Sequence, residues 1–137
     1  MNDALGFAGE VRGLGSEGAG KLLARCIGGL ESADSGEIRL EGAVLSDGPK
    51  GLPPQSRNLG MVFQSYGVWP HLSVFENVAF GLRVRKRSAD EIRERVTRAL
   101  ELVNIAPLAE RKSHQLSGGQ LQRVALARTL VVEPKLV

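Results

Sequence analysis

Hydrophobic residues recur at three spacings along this 137-residue chain, and each spacing predicts a different kind of element. Ile92, Val96, Leu100 and Val103 return every three or four positions, which lines one face of a helix. Glu91 with Arg95 and Glu94 with Arg98 stand at the spacing of surface ion pairs on that same helix. Ser88 with Glu91 announces it as an S-x-x-E capping box, Ser73 with Glu76 does the same ahead of VAFGL, and Ser117 with Gln120 opens a third helix from Gly118 to about Val131. Pro134 stops that last helix, and Leu136 and Val137 read as the first residues of a new strand. A loose two-residue alternation at Ile38, Leu40 and Val44, broken by Gly42, predicts the strands of an antiparallel hairpin over 37–45. A continuous apolar run, Leu59 to Phe63, predicts a buried strand. Glu10 to Leu14 predicts a further short strand that runs into GSEGAGK and then LLARCIGGL, in the order strand, glycine-rich turn, helix. DGPKGLPPQ, residues 47–55, is too rich in Gly and Pro to be read as anything but loop.

The implied fold is α/β, in one domain, complete or partial. Net charge is +3, with 18 Lys and Arg against 15 Asp and Glu interspersed along the chain. Without a long run of one sign, the basic balance does not point to nucleic acid. Arg83, Arg85, Lys86 and Arg87 form the one local basic stretch, which reads as a solvated helix end, with a polyanion site as the alternative. Cys26 is the single cysteine, so no internal disulfide is available, and its apolar surroundings predict a small buried side chain. MNDALGFAGE lacks the basic start and apolar core of a signal peptide, and no stretch reaches the roughly 20 apolar residues that span a bilayer, so a membrane role is expected through a partner.

Two motifs carry chemistry. Gly15-Ser16-Glu17-Gly18-Ala19-Gly20-Lys21 fits G-x-x-x-x-G-K, in which glycines let backbone N–H groups turn toward a polyphosphate and the lysine reaches its β and γ groups. An ordinary glycine-rich turn with a solvated lysine is the plainer alternative. The pattern continues with Ser or Thr to bind Mg²⁺, and here Leu22 stands in that place. Leu116-Ser117-Gly118-Gly119-Gln120 sets bare backbone N–H groups and a capping hydroxyl at the positive end of a helix, an arrangement suited to an anion.

In their order and spacing, GSEGAGK, GLESADSGEIRLEG, RNLGMVFQSYGVWPHLSVFENVAFGL and HQLSGGQLQRVALARTL resemble the nucleotide-binding subunit of an ABC transporter, most of all the importer branch serving sugars, polyamines, iron or sulfate. The resemblance implies a P-loop NTPase-like core with a helical subdomain, incomplete here. Residues 1–72 would be a partial ATP-binding core with the Q-loop, 73–116 the helical subdomain, and 117–137 the signature helix and the start of the next strand. It implies ATP and Mg²⁺ as cofactors. Gly15, Gly18, Ala19, Gly20, Lys21 and Leu22 would line the phosphates in cis, and Ser117, Gly118, Gly119 and Gln120 would reach a γ phosphate in trans. Gln64 matches the Q-loop glutamine, which senses nucleotide and metal; a buried, hydrogen-bonded glutamine is the alternative. Five of the six aromatic residues, Phe63, Tyr66, Trp69, Phe75 and Phe80, cluster after the predicted strand; most are expected in the core, with Tyr66, Trp69 and His71 exposed toward a coupling helix. Implied partners are a second nucleotide-binding domain and a transmembrane permease subunit, with no nucleic acid, and the implied location is the cytoplasmic face of the membrane through the permease.

The chain also departs from that pattern. It runs about one residue short between Lys21 and Gly29, has no aromatic residue placed to stack on adenine, and is expected to stop before the acidic strand and glutamate that support hydrolysis. The competing readings are a non-catalytic remnant that binds nucleotide weakly or only a partner chain, and a soluble ATPase acting on nucleic acid or ribosomes, which YGVWPHLSVFENVAFGL speaks against.

Overall fold

The structure, a computed structural model, describes residues 5–8, 16–63 and 65–137. In the first of two units, Met1–Leu59, four strands form an antiparallel meander in the order β1 (Leu5–Ala8), β2 (Glu37–Leu40), β3 (Ala43–Asp47), β4 (Lys50–Gly51). The expected hairpin is β2–β3, closed by Glu41 at φ 50° and Gly42 at φ 80°. Two successive left-handed residues give the turn whose twist matches that of the flanking strands. The β2–β3 register shifts between Ile38 and Arg39, so Ile38 faces Ser46 while Arg39 faces Val44. This bulge turns two consecutive β3 residues, Leu45 and Ser46, inward. Helix α1 (Ser16–Gly28) covers that face, and Cys26, Ile38, Leu40 and Leu45 form the core, with Leu22, Ile27 and Leu59 against it.

The end of α1 is closed twice. Leu30 N–H donates to Arg25 O (2.8 Å) and Gly29 N–H to Cys26 O (3.1 Å), with Gly29 at φ 77°, a left-handed stop that satisfies the last carbonyls. Arg57, only 5% exposed, adds its guanidinium: Nη1 donates to Cys26 O (2.7 Å) and Ile27 O (2.8 Å), and Nε to Leu52 O (2.7 Å). A cation on helix C-terminal carbonyls is also favoured by the macrodipole. The cradle is tight, since a Cβ on Gly29 would lie 2.6 Å from Arg57 Nε and one on Gly51 2.8 Å from Nη2.

The second unit, Gly60–Val137, is helical: α2 (Val74–Val84), α3 (Ala89–Leu102) and α4 (Gly118–Leu130) share one core. Val78, Leu82, Val96, Leu100 and Val124 are almost fully buried in it. Cutting Leu82 or Leu100 to alanine there costs about 2–5 kcal/mol. The face read from Ile92, Val96, Leu100 and Val103 is the buried one. Both expected pairs form, Arg95–Glu91 at 3.1 Å and Arg98–Glu94 at 2.8 Å. Ser73 and Ser117 make reciprocal capping boxes with Glu76 and Gln120. Ser88 only accepts from Glu91 N–H (3.2 Å), because the Glu91 carboxylate turns to Arg95 instead.

Several expectations need correction. Ser16 to Lys21 is helix, not glycine-rich loop: Leu22 and Cys26, one turn apart, sit on the sheet, and the helix they anchor extends back through Gly18 and Gly20, neither of which has a positive φ. Leu59–Phe63 is not a buried strand. Gly60 N–H donates to Leu136 O (2.7 Å), but the chain then turns at Phe63, whose carbonyl accepts from Tyr66 N–H (3.0 Å), and Val62 and Phe63 are exposed. Without a continuous ladder, apolar character alone does not make a strand. In place of the expected strand start, Leu136 is a lone bridge residue and Val137 is in no strand. Residues 47–55 are not all loop, since Lys50–Gly51 pairs with Ser46–Asp47 and Pro54–Ser56 makes a 3₁₀ turn. Phe63 (50% exposed) and Phe80 (43%) are outside the core expected for most of the aromatic group. By internal packing the chain divides at 59/60, and α4 shares the core of α2 and α3. The strand expected over 10–14 lies outside the described residues.

Candidate functional site

In the first unit the candidate residues gather at the start of α1. Ser16, Glu17 and Gly18 open the helix, so their N–H groups have no carbonyl one turn earlier and form its positive end. Gly20 and Lys21 follow in the same turn; both are exposed, and a Cβ on Gly20 would meet nothing within 4 Å. A helix N-terminus with a lysine beside it suits phosphate. Gly15 lies outside the described residues. Leu22 is half-buried and packs against Cys26, Ile38, Leu40 and Leu45, so the position that should carry a metal-binding hydroxyl is committed to the core. The described residues therefore do not fit Mg²⁺, and among them no group of three His, Cys, Asp or Glu could hold a metal ion. Burial, with Glu31 nearby, pushes the Cys26 thiol up.

In the second unit the LSGGQ motif forms the start of α4. Ser117 is extended (φ −70°, ψ 163°), its Oγ accepts from Gln120 N–H (3.3 Å), and Gln120 Oε1 accepts from Ser117 N–H (2.9 Å). Gly118 and Gly119 are the first two helical residues and are exposed, with no side chain to cover their N–H groups. The Gln120 side-chain carbonyl and backbone N–H are used in the cap, so the donors left for an anion are the glycine amides, the Ser117 hydroxyl proton and the Gln120 side-chain NH₂.

Gln64 lies outside the described residues, and with it the metal expectation. Residues 65–69 just after it are well fixed. Tyr66 and Gly67 are both left-handed (φ 60° and 57°), and Gly67 N–H donates to Ser65 O (2.7 Å). Trp69 is tied to α2 by Asn77, whose Oδ1 accepts from Trp69 N–H (2.8 Å) and whose Nδ2 donates to Trp69 O (3.1 Å) and Ser73 O (2.9 Å). The Trp69 ring lies between Phe80 (centroids 4.4 Å apart) and the Arg128 guanidinium (4.0 Å). Tyr66 and Trp69 are thus half-buried, and His71 alone of the three is exposed. Arg57, Asn77 and Arg128 were missed by sequence reasoning; for Asn77 and Arg128 the signal was a polar residue in a largely apolar run, VFENVAF and VALARTL, whereas Arg57, in the polar stretch PPQSRNLG, carried none.

The sequence model of the ABC transporter family matches residues 7–137. The spermidine/putrescine import ATP-binding protein PotA of Aliivibrio fischeri is 49% identical over 125 residues, covering 90% of this chain and 32% of that protein. The sulfate/thiosulfate import ATP-binding protein CysA of Acinetobacter baylyi is 53% identical over 129 residues, covering 90% of this chain and 35% of its own length. The chain thus spans about a third of these relatives. Among solved structures, cbiO1 of Clostridium perfringens, part of the ABC transporter complex cbiONQ, superposes with a TM-score of 0.77 at 34% identity, covering 90% of this chain and 50% of that one. A dimeric bacterial ABC transporter cassette gives 0.71 at 32% identity, covering 88% and 54%.

Proposed function

Because the chain belongs to the ABC transporter family, we propose that it supplies the phosphate-binding and signature elements of the ATP-binding subunit of an importer. Gly15, Gly18, Ala19, Gly20 and Lys21 hold the ATP phosphates. Ser117, Gly118, Gly119 and Gln120 face the γ phosphate of an ATP held by a second nucleotide-binding domain, while Gln64 senses the nucleotide and metal at the phosphate loop of this chain. A permease subunit keeps the assembly at the cytoplasmic face of the membrane. The observation that carries this reading is the open start of α4, where two exposed glycines follow a serine whose cap is completed by Gln120. PotA and CysA are import ATP-binding proteins by name, which supports the importer branch.

One observation favours a second reading, nucleotide binding without hydrolysis by this chain. Leu22 occupies the magnesium position and packs into the core. Phosphoryl transfer rests on the metal and its electrostatic preorganisation, so a site that holds phosphate without metal binds but does not turn over. A titration of the purified chain with a fluorescent ATP analogue separates the readings. Lys21→Ala is expected to weaken binding at least about tenfold, roughly 1.4 kcal/mol. Adding Mg²⁺ is expected to change wild-type affinity by less than about threefold, roughly 0.7 kcal/mol. Unchanged binding in Lys21→Ala would remove the phosphate site, and Mg²⁺-dependent phosphate release abolished by Lys21→Ala would overturn the second reading.

A further inference from the structure

We propose that Arg128 is a positioning residue that holds residues 65–69 against α4 and thereby sets the hydroxyl of Tyr66 beside the signature glycine Gly118. The proposal rests on the reading of Gly118 as part of a nucleotide-facing turn, and its structural arm can be decided without nucleotide.

Arg128 stands in the last turns of α4, on the helix whose first residue is Gly118. Its Nη1 donates to Gly67 O, and its carbon Cζ lies 4.0 Å from the centroid of the Trp69 ring. One guanidinium therefore fixes two points of the segment at once, the carbonyl after Tyr66 and the indole face. A lysine in its place has the charge but not the planar group that stacks and donates together. The far end of the segment is fixed separately, by the paired hydrogen bonds between Asn77 and the Trp69 backbone.

Where these ties begin, the chain takes two left-handed residues in succession, Tyr66 and then Gly67, whose carbonyl Arg128 holds. Glycine accepts that conformation freely, but tyrosine does not, so Tyr66 keeps it only while the surroundings hold it there. Arg128 is the side chain that does so from α4. Held this way, Tyr66 directs its hydroxyl to the other end of the same helix, 3.8 Å from where a Cβ on Gly118 would be. Ten residues of α4 separate Arg128 from Gly118, at about 1.5 Å rise each, so the link between them runs back through the Tyr66 side chain. Any displacement of residues 65–69 then reaches the LSGGQ turn directly. Buried surroundings make the Arg128 guanidinium easier to deprotonate than usual, yet it stays charged at neutral pH, so the tie does not switch with pH.

The test uses the full chain in two arms. In the first, without nucleotide, the amide resonance of Gly118 reports the Tyr66 ring, and Trp69, the single tryptophan, reports its contact with Arg128 by fluorescence. Tyr66→Leu sets the full displacement of the Gly118 resonance. Arg128→Ala is expected to move that resonance in the same direction by at least half as much and to shift Trp69 emission to the red. A Gly118 resonance that stays put while Trp69 emission moves overturns the proposal, because Arg128 would then support only its own end of the helix. If Arg128→Ala does not fold, Arg128→Lys decides: a folded variant with a displaced Gly118 resonance supports the link, and an undisplaced one refutes it.

In the second arm, ATP-dependent association with a second nucleotide-binding domain is compared with ATP affinity for the isolated chain. Arg128→Lys is expected to weaken association at least fivefold and to leave isolated-chain affinity within twofold, since that affinity depends on Lys21. Equal losses in both overturn the positioning role. If the wild type binds no nucleotide, it is the functional reading that fails, and the resonance shifts of the first arm still confirm or refute the tie.

Discussion

At the scale of single residues, Arg57 and Glu76 carry charge where the fold uses it. Arg57 reaches three carbonyls with no carboxylate among them, and burial makes it easier to deprotonate than an ordinary arginine. Arg57→Lys cannot reach Cys26, Ile27 and Leu52 together, so it should cost about 2–4 kcal/mol in urea unfolding, the range for losing charged hydrogen bonds at a buried site. A loss below about 0.5 kcal/mol would mean that the cradle repacks easily. Glu76 is held below the usual carboxylate range, chiefly by the hydrogen bond from Ser73 N–H and then by the Ser73 hydroxyl. A depressed carboxylate contributes stability that is complete above its unfolded pKa and disappears as pH falls through the folded one. The melting-temperature advantage of wild type over Glu76→Ala is therefore expected in full at pH 7 and falls away as the pH drops through the depressed folded-state pKa, below the usual carboxylate range. Glu76→Gln, which still accepts from Ser73, should not show that acid dependence; an advantage constant across this range would contradict the assignment.

At the scale of elements, helices with a cap and a periodic face were legible, and elements defined by their partners were not. Ser73, Ser88 and Ser117 each marked a real helix start, because capping is local chemistry within four residues. Leu59–Phe63 looked like a strand but has no continuous ladder, and strand identity lies in pairing, which a run of apolar letters does not encode. Lys50–Gly51 failed in the opposite direction, a pair of poor strand formers recruited by β3. The start of α4 offers a test in which stability and function should part. Gly119 is helical, its Cβ would meet nothing within 4 Å, and its φ is not positive. Gly119→Ala should raise stability by about 0.5–1 kcal/mol. The same methyl covers an amide that the proposed function leaves open, so ATP-dependent association with a second nucleotide-binding domain should fall. A variant that is more stable and associates as well as wild type would show that this glycine is not needed bare.

At the scale of the whole molecule, the α/β class was legible from the order of periods along the chain, and the signature motif from its letters. The division at 59/60 was not, because it depends on which helices share a core: Val124 and Ala127 of α4 pack with Val78 of α2 and Val96 of α3 across distant sequence. The start of α1 was misread for a related reason, since GSEGAGK permits both a loop and a helix. The face of Leu22 and Cys26 on the sheet favours the helix.

The closure of α1 by Arg57 also sets an order in time. The helix is made before its cap, since the arginine that adds a second hydrogen bond to the Cys26 carbonyl comes 31 positions later. At about 5–20 residues per second the nascent helix waits about 2–6 s for its cap. A helix of this size forms and melts in about a microsecond, so it is formed and lost many times in that interval. Cys26, buried only when α1 is seated, records the moment. Ribosome-bound chains arrested before Arg57 emerges should react with a thiol reagent at nearly the unfolded rate, and chains arrested after it should be protected at least about tenfold, as an equilibrium constant shifted by about 1.4 kcal/mol requires. Protection that is already complete before Arg57 emerges would show that the left-handed stop at Gly29 is enough to finish the helix. In this chain the second half of a local element is thus delivered by translation, and the speed of the ribosome becomes part of how the first unit is built.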